Sequence, residues 1–374
     1  MSEKYLGSDI KKLGFGLMRL PMNGEEIDIE QTKKMADLFM EKGFTYFDTA
    51  YVYIGGKSEV ALKEAVVERY PRDSFQCATK LPIWDLKDKA DMERIFQTSL
   101  DRAGLSYYDF YLLHALGKDS AKKAEEVGAW DFIKQLKQEG RAKHIGFSFH
   151  DTADVLEDIL QKHPEAEFVQ LQINYADWDS EGVQARKCYE TARRHNKAVI
   201  IMEPVKGGAL ATMTPEVQKL FKDAAPNASV ASWAMRFAAS LDGLVTVLSG
   251  MSNLEQMEDN LSYMADFKPL DEKEQGVVSQ VVEVLKNTPT IPCTSCKYCV
   301  DGCPQKINIP GVFQAMNQLT LYGDKGRAQG HYKHAVGEGG KASGCIQCGS
   351  CQEHCPQHLE IIELLKDAAA KLEG

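Results

Sequence analysis

The sequence predicts an α/β fold, a closed (β/α)8 barrel, followed by a small, mostly α-helical C-terminal domain. Three observations carry this reading. Eight short apolar runs rich in β-branched and aromatic residues recur along the first 250 residues, separated by longer amphipathic stretches of helical spacing. The first repeats are about thirty residues long, the size of one βα unit. Of the 10 cysteines, all but Cys77 and Cys188 fall between Cys293 and Cys355, so the chain has two parts doing different work.

The strands expected from the apolar runs cover 13–18, 45–49, 76–80, 109–114, 144–148, 168–173, 198–202 and 244–250. Between the first two, 29–43 reads as a helix, with Met35, Leu38 and Phe39 on its apolar face and Gly43 as its stop. Eight such units in about 250 residues have the rhythm of a TIM barrel. A doubly wound open sheet is the alternative, weakened because Gly14-Phe15-Gly16 lacks the third glycine of a dinucleotide-binding turn. A helix over 272–286, then Pro289 and Pro292, marks the end of the barrel, giving regions 1–285 and 286–374. Beyond it, helices are expected over 309–323 and 363–374. The glycine-rich stretch 323–344 reads as a surface loop with at most one helical turn.

With 374 residues the chain is long enough for a large core. Lys+Arg total 44 against Asp+Glu 54, a net charge of −10, with 44% hydrophobic and 26% charged residues. That is ordinary soluble composition and argues against nucleic acid or an anionic membrane as partner. The N-terminus lacks the pattern of a secretory signal, and no run reaches the roughly 18 apolar residues of a membrane span. A cytoplasmic protein is expected, in which clustered cysteines are metal ligands rather than disulfides.

Polar residues at strand ends carry the chemistry. A barrel enzyme builds its site where the strands end, and three successive strands close on Asp48, Lys80 and His114. Tyr53 lies five residues beyond Asp48, in a loop free to overhang the mouth. A lysine ammonium beside a phenol favours the phenolate, with Asp48 holding the lysine charged. A tyrosine so tuned can protonate a carbonyl oxygen that His114 also hydrogen-bonds. Trp84 and Trp178, in the loops after the third and sixth strands, either line an apolar pocket or pack in the core.

The segments FDTAYVYIGGKSEVALKEAV (47–66), ATKLP (78–82), YYDFYLLH (107–114), HIGFS (144–148) and VLSGMSNLEQMEDN (247–260) resemble the aldo-keto reductase superfamily over most of residues 1–270. The resemblance implies a catalytic tetrad of Asp48, Tyr53, Lys80 and His114. It also implies NADP(H) or NAD(H) bound at the mouth, with hydride exchanged with a small carbonyl or alcohol substrate. By the same resemblance Ser148 and Gln170 would hold the nicotinamide carboxamide, and Met202 stands where many members stack a tyrosine. Ser249, Gly250, Ser252, Gln256 and Asn260 match the pyrophosphate and adenosine site, before a helix whose N-terminus favours phosphate. Phe149 replaces the family's asparagine after the serine, and Met251 replaces a basic residue.

The cysteines form two runs, CTSCKYCVDGCP (293–304) and CIQCGSCQEHCP (345–356). Each is CxxCxxCxxxCP, in which three cysteines wrap a 4Fe-4S cube and the fourth crosses to the other cluster. This assigns Cys293, Cys296, Cys299 and Cys355 to one cluster, and Cys345, Cys348, Cys351 and Cys303 to the second. Zinc is the alternative, but its sites separate two CxxC pairs rather than running three cysteines in series. With 41 residues between Cys303 and Cys345, the domain resembles the all-helical ferredoxin domains. Lys325, Arg327, Lys333 and Lys341 either face solvent or receive an acidic partner, a ferredoxin or flavoprotein. In the reductase reading the clusters serve either electron transfer or structure; two further readings compete with it: an electron-transfer or regulatory protein on an altered barrel, and a flavin at the barrel mouth fed by the clusters.

Overall fold

The computed structural model describes residues 6–288, 290–337 and 339–374; residues 1–5 of the stretch read for a secretion signal, Pro289 of the linker and Glu338 lie outside the described residues. Two compact units divide the chain. One is Met1–Pro204 with Ser232–Asp271, the other Val205–Ala231 with Glu272–Gly374. Among the described residues no helix is long and apolar enough to cross a membrane.

All eight expected strands form. They are β1 (Leu13–Gly16), then, after a two-stranded hairpin of β2 (Met22–Asn23) and β3 (Glu26–Ile27), β4 (Tyr46–Asp48), β5 (Gln76–Pro82), β6 (Tyr108–Leu116), β7 (Ala142–Phe149), β8 (Phe168–Gln172), β9 (Ala198–Met202) and β10 (Leu244–Ser249). The eight outside the hairpin are parallel and close in the order β1-β10-β9-β8-β7-β6-β5-β4. The expected first strand stops at Gly16, and a 3-10 turn, Leu17–Arg19, follows it. Strands buried on both faces read as continuous apolar runs, which is why their positions show in the sequence.

Helices occupy the crossovers: α1 (Ile29–Glu41), α2 (Lys57–Leu62), α3 (Lys89–Ala103), α4 (Lys118–Glu126), α5 (Ala129–Gln138), α6 (Ala153–Lys162) and α7 (Ala185–Arg194). The pair α8 (Pro215–Ala224) and α9 (Val230–Ala239) joins β9 to β10, and α10 (Leu254–Met264) follows β10. The reason for α1 is local. Asp28 caps it by accepting from the Gln31 amide at 3.0 Å, and Phe39 stacks its edge on Phe47 of β4 at 5.2 Å between ring centroids.

Register decides what the barrel interior holds. Tyr46, Ala78, Phe110, Leu112, Phe168, Ala198, Ile200 and Val245 pack into one buried cluster, with Leu6 and Ile10 against it. Side chains alternate along a strand, so Asp48, Lys80, His114, Gln170 and Met202, two residues beyond members of these inward rows, face the interior in the next layer up, with Ser148 level with Gln170. Asp48 pairs with Ala78, and Lys80 pairs with Leu112. The pattern climbs by two residues per strand, placing polar residues of different strands in one layer above an apolar plug.

The second unit contains α8, α11 (Glu272–Lys286), α12 (Tyr298–Asp301), α13 (Ile309–Tyr322), α14 (Lys325–Val336), α15 (Ser350–Glu353) and α16 (Ile361–Leu372). Its core gathers Val312, Phe313 and Met316 of α13, Ala328 and Tyr332 of α14, and Ile361, Leu365 and Leu372 of α16. The stretch expected as a loop, 323–344, is mostly α14, a correction to the sequence reading. Asp324 caps this helix by accepting from the Arg327 amide at 2.9 Å, and Ala328, Tyr332 and Val336 recur every fourth residue on its buried face. Three apolar positions suffice because the helix packs on neighbours, while Gly326 and Gly330 stand on its open side. In the same unit Gly207 adopts φ +65°, and a Cβ there would stand 2.2 Å from the Thr294 carbonyl oxygen, so only glycine fits.

Gly146 in β7 lies so close to β8 that a Cβ would approach the Phe168 carbonyl oxygen to 2.3 Å and its ring to 2.9 Å. Gly146→Ala is expected to destabilise the barrel by about 1–3 kcal/mol through overpacking. Chemical denaturation followed by far-UV circular dichroism checks this, and an unchanged midpoint contradicts the packing described.

Candidate active site and cysteine cavities

Lys80 is the centre of the polar layer. Only 1% of its surface is exposed, and its Nζ donates to Asp48 Oδ1 at 2.5 Å and to the Thr49 carbonyl at 2.7 Å. Burial pulls the Lys80 ammonium below its ordinary range, against the opposing charge of Asp48. Burial pushes the Asp48 carboxyl up, opposed by Lys80. Asp48 Oδ2 is buried with no hydrogen-bond partner among the described residues.

Tyr53 overhangs this pair. Its ring centroid lies 4.7 Å from Lys80 Nζ and 5.8 Å from the His114 ring centroid, edge to face. The loop that carries it is bent by three successive left-handed residues, Ile54, Gly55 and Gly56. Thr49 and Ser58 share a 2.6 Å hydrogen bond, and Ser58 Oγ donates to the Leu17 carbonyl at 2.9 Å. From below, Arg102 donates to the Tyr51 carbonyl at 3.0 Å and to buried Glu59, which accepts from Thr79 Oγ1 at 2.8 Å. Neighbours on four elements thus hold the tyrosine loop.

His114 sits on β6 just before Ala115, which adopts φ +53° where the register to β7 shifts. The Ala115 amide donates to Ser148 Oγ at 2.8 Å. Burial, the Lys80 charge and nearby His150 hold the His114 imidazolium well below its usual range, so the ring is neutral. Trp84 packs on it with ring centroids 5.0 Å apart, while Trp178 packs on Tyr189 and Phe237.

Gln170, paired in register with Ser148, is 98% buried; its Nε2 donates to Met202 Sδ at 3.6 Å and its Oε1 has no partner among the described residues. An orphaned buried amide oxygen in this layer fits a ligand carrying an N–H donor. Past β10, Asn260 Nδ2 donates to Ser249 Oγ at 2.7 Å. Asn253 caps α10 by accepting from the Gln256 amide at 2.9 Å, while Gln256 Oε1 accepts from the Ser252 amide at 2.8 Å. Met251 is buried. The Arg19 side chain passes over Gly250, where a Cβ would stand 3.3 Å from its Cδ. Sequence reasoning missed Arg19, because nothing along the chain relates residue 19 to residue 250. It also missed Glu59 and Arg102 as supports, although Glu59 lies inside a quoted segment.

In the second unit the cysteines line two cavities. Cys293, Cys296, Cys299 and Cys355 surround one of about 310 Å³, with Thr294 and Phe313 in its wall. Cys303, Cys345, Cys348 and Cys351 surround another of about 330 Å³, with Ile346 and Leu365. Ile309 lines both. These are the same two sets of four that the spacing assigns, and four convergent cysteine sulfurs are the donor set a 4Fe-4S cluster takes. Burial and the neighbouring sulfurs push the Cys299 thiol up. Cys77 and Cys188, pushed up to about 12 by burial, are inert core residues.

The chain matches the aldo/keto reductase family over residues 12–283 and a 4Fe-4S dicluster domain over 292–360. It is 24% identical over 311 residues to the uncharacterized oxidoreductase YqkF of Bacillus subtilis, covering 73% of this chain and 94% of that one. It is 30% identical over 182 residues to probable aldo-keto reductase 1 of Glycine max, covering 46% of this chain and 50% of the relative's length. An aldo-keto reductase from Klebsiella pneumoniae, solved in complex with NADPH, shares the fold with a TM-score of 0.58 at 20% identity, covering 73% of this chain and 91% of that one. A closed parallel barrel, its polar upper layer and a match spanning most of the chain place this protein in the aldo/keto reductase family of oxidoreductases, with a 4Fe-4S dicluster domain at its C-terminal side.

Proposed function

We propose that the barrel mouth interconverts a small aldehyde or ketone and its alcohol with NADP(H) or NAD(H), and that the cysteine cavities hold two 4Fe-4S clusters. The observation that carries the reading is the buried Lys80 ammonium, held by Asp48 and lying 4.7 Å from the Tyr53 ring centroid. In this reading the carbonyl chemistry belongs to residues 1–285 and cluster binding to 286–374.

When bound, the nicotinamide supplies or accepts the hydride. The chain's own residues do the rest. Tyr53 gives its hydroxyl proton to the substrate oxygen as negative charge develops there. The Lys80 ammonium stabilises the phenolate that remains, and Asp48 keeps that ammonium charged in a buried site. Neutral His114 donates an N–H to the same oxygen, and the Trp84 ring walls the pocket beside it. Gln170 Oε1 accepts from the carboxamide N–H, its orientation set by the Nε2 contact to Met202. Ser148 already accepts from Ala115, which leaves its own proton to donate. Ser249, Gly250, Ser252, Gln256 and Asn260 build the phosphate and adenosine end around the start of α10, with Arg19 as its cation.

Hydride transfer moves an electron pair, whereas a 4Fe-4S cluster passes single electrons. We therefore assign the clusters to exchange with a one-electron partner, a ferredoxin or flavoprotein.

Tyr53→Phe is expected to lower nicotinamide-dependent carbonyl reduction by about 10²–10⁴-fold with the iron–sulfur absorbance unchanged. Full activity in this variant would overturn the tetrad. Anaerobically purified protein should contain about eight iron and eight sulfide per chain. Cys303→Ala should lose about half of each while the cavity of Cys293, Cys296, Cys299 and Cys355 stays loaded; zinc in place of iron rejects the assignment. His114 is neutral when folded and takes up a proton near its ordinary pKa of 6.5 when unfolded. The unfolded chain binds more protons below that pH, so stability falls as pH drops, by up to about 1.4 kcal/mol per unit. His114→Gln should flatten that slope in denaturation curves between pH 7 and 5; an identical slope removes the neutral-imidazole assignment.

A further inference from the structure

The two cysteine cavities differ in exposure and in the charge around them. Each set has one buried cysteine, Cys299 or Cys351, and of the eight Cys348 alone is exposed. Beside Cys348 in the same cavity wall stands Ile346, 58% exposed, the most exposed large apolar side chain among the described residues. This places an apolar side chain in the wall of the same cavity, where a docking molecule would touch it.

Charge follows the same division. Residues 303–350 carry Lys306, Lys325, Arg327, Lys333 and Lys341 against Asp324 and Glu338, in a chain of net charge −10. All five basic residues are exposed, and the Asp324 carboxylate is engaged in capping α14. Lys306 directly follows Gln305, which lines the cavity of Cys303, Cys345, Cys348 and Cys351. Lys341 adjoins the bridge between Ile307 and Gly340; beside it the Tyr332 hydroxyl accepts from the Ala342 amide at 2.8 Å and donates to Glu373, whose carboxylate also accepts from the Ser343 amide. The segments that bear the other set, 293–302 and 353–363, carry Lys297 against Asp301, Glu353, Glu360 and Glu363.

We infer that the face around Cys348 and Ile346 is the electron port of this protein, and that it docks a small acidic one-electron carrier protein. The inference rests on the two-cluster reading above and adds which cluster meets the partner and by what chemistry. A basic rim would steer the acidic carrier, an apolar contact at Ile346 would seat it, and the exposed Cys348 would bring it against a ligand of the cluster. Small contacts of this kind suit transient redox encounters. The step moves one electron from the reduced carrier to the oxidised cluster, with no bond made or broken and no proton required.

The test uses the full-length protein, purified anaerobically with iron and sulfide assayed first. Its clusters are reduced in a stopped-flow instrument by a reduced plant-type 2Fe-2S ferredoxin, as the acidic probe, and separately by methyl viologen radical. In the variant combining Lys306→Glu, Lys333→Glu and Lys341→Glu, the second-order rate with ferredoxin at low salt should fall by about tenfold or more and lose most of its salt dependence. The rate with viologen should stay near that of the parent protein. A ferredoxin rate unchanged by the charge reversal overturns the port, as does a parent protein reduced by viologen but not by ferredoxin. Absence of iron and sulfide, or of any viologen reduction, is a different result, and it overturns the two-cluster reading itself.

Discussion

Everything in the first unit depends on closing a parallel sheet with a strand of four residues. An open parallel sheet would leave backbone donors and acceptors unpaired along two edges. Here β1 satisfies both, pairing with β10 through Leu13, Gly14 and Phe15 and with β4 through Gly14, Phe15 and Gly16. Because Gly16 lies level with Asp48 and Phe15 level with Ser249, this short strand also sets the relative height of the ion pair and of the end of β10. Closure and site geometry are one constraint.

The interior it encloses has two layers with opposite demands. Tyr46, Ala78, Phe110 and Ile200 fill the lower one and exclude water. Directly above, Lys80 must remain charged in the environment that its apolar neighbours create. Two acceptors, Asp48 Oδ1 and the Thr49 carbonyl, offset the lost hydration. The same dryness has the opposite use at His114, where it removes a charge and leaves a neutral donor. One environment therefore yields a cation and an uncharged imidazole within a single layer, and the difference lies in the partners each strand brings.

Much of this could be read along the chain. The eight strands are legible because both of their faces are buried, so the apolar runs appear without the interference of a solvent-facing alternation. The cysteines are legible because ligand spacing is a local property of loop chemistry. Asp48, Lys80 and His114 show through their common position at strand ends. What stays hidden depends on distance in sequence. Arg19 meets Gly250 only after closure, and Glu59 supports the Tyr53 loop only once α2 lies against β5. The helix α14 escapes for another reason: its glycines look like breakers, and three buried positions out of 12 residues are too few to mark a helix until α13 and α16 are in place to cover them.

The ownership of residues 205–231 reaches beyond the present fold. That segment lies between β9 and β10 in the chain, yet it belongs to the second unit, where α8 packs with α11 and Gly207 fits under the Thr294 carbonyl. No single cut of the polypeptide separates the two units. The cysteine-bearing part is consequently not a cassette that one crossover could append to any barrel of this family. A recombinant made by joining residues 272–374 to another barrel would lack the piece that completes the unit. The β9–β10 connection and residues 272–374 thus complete one structural unit from two distant stretches of the chain.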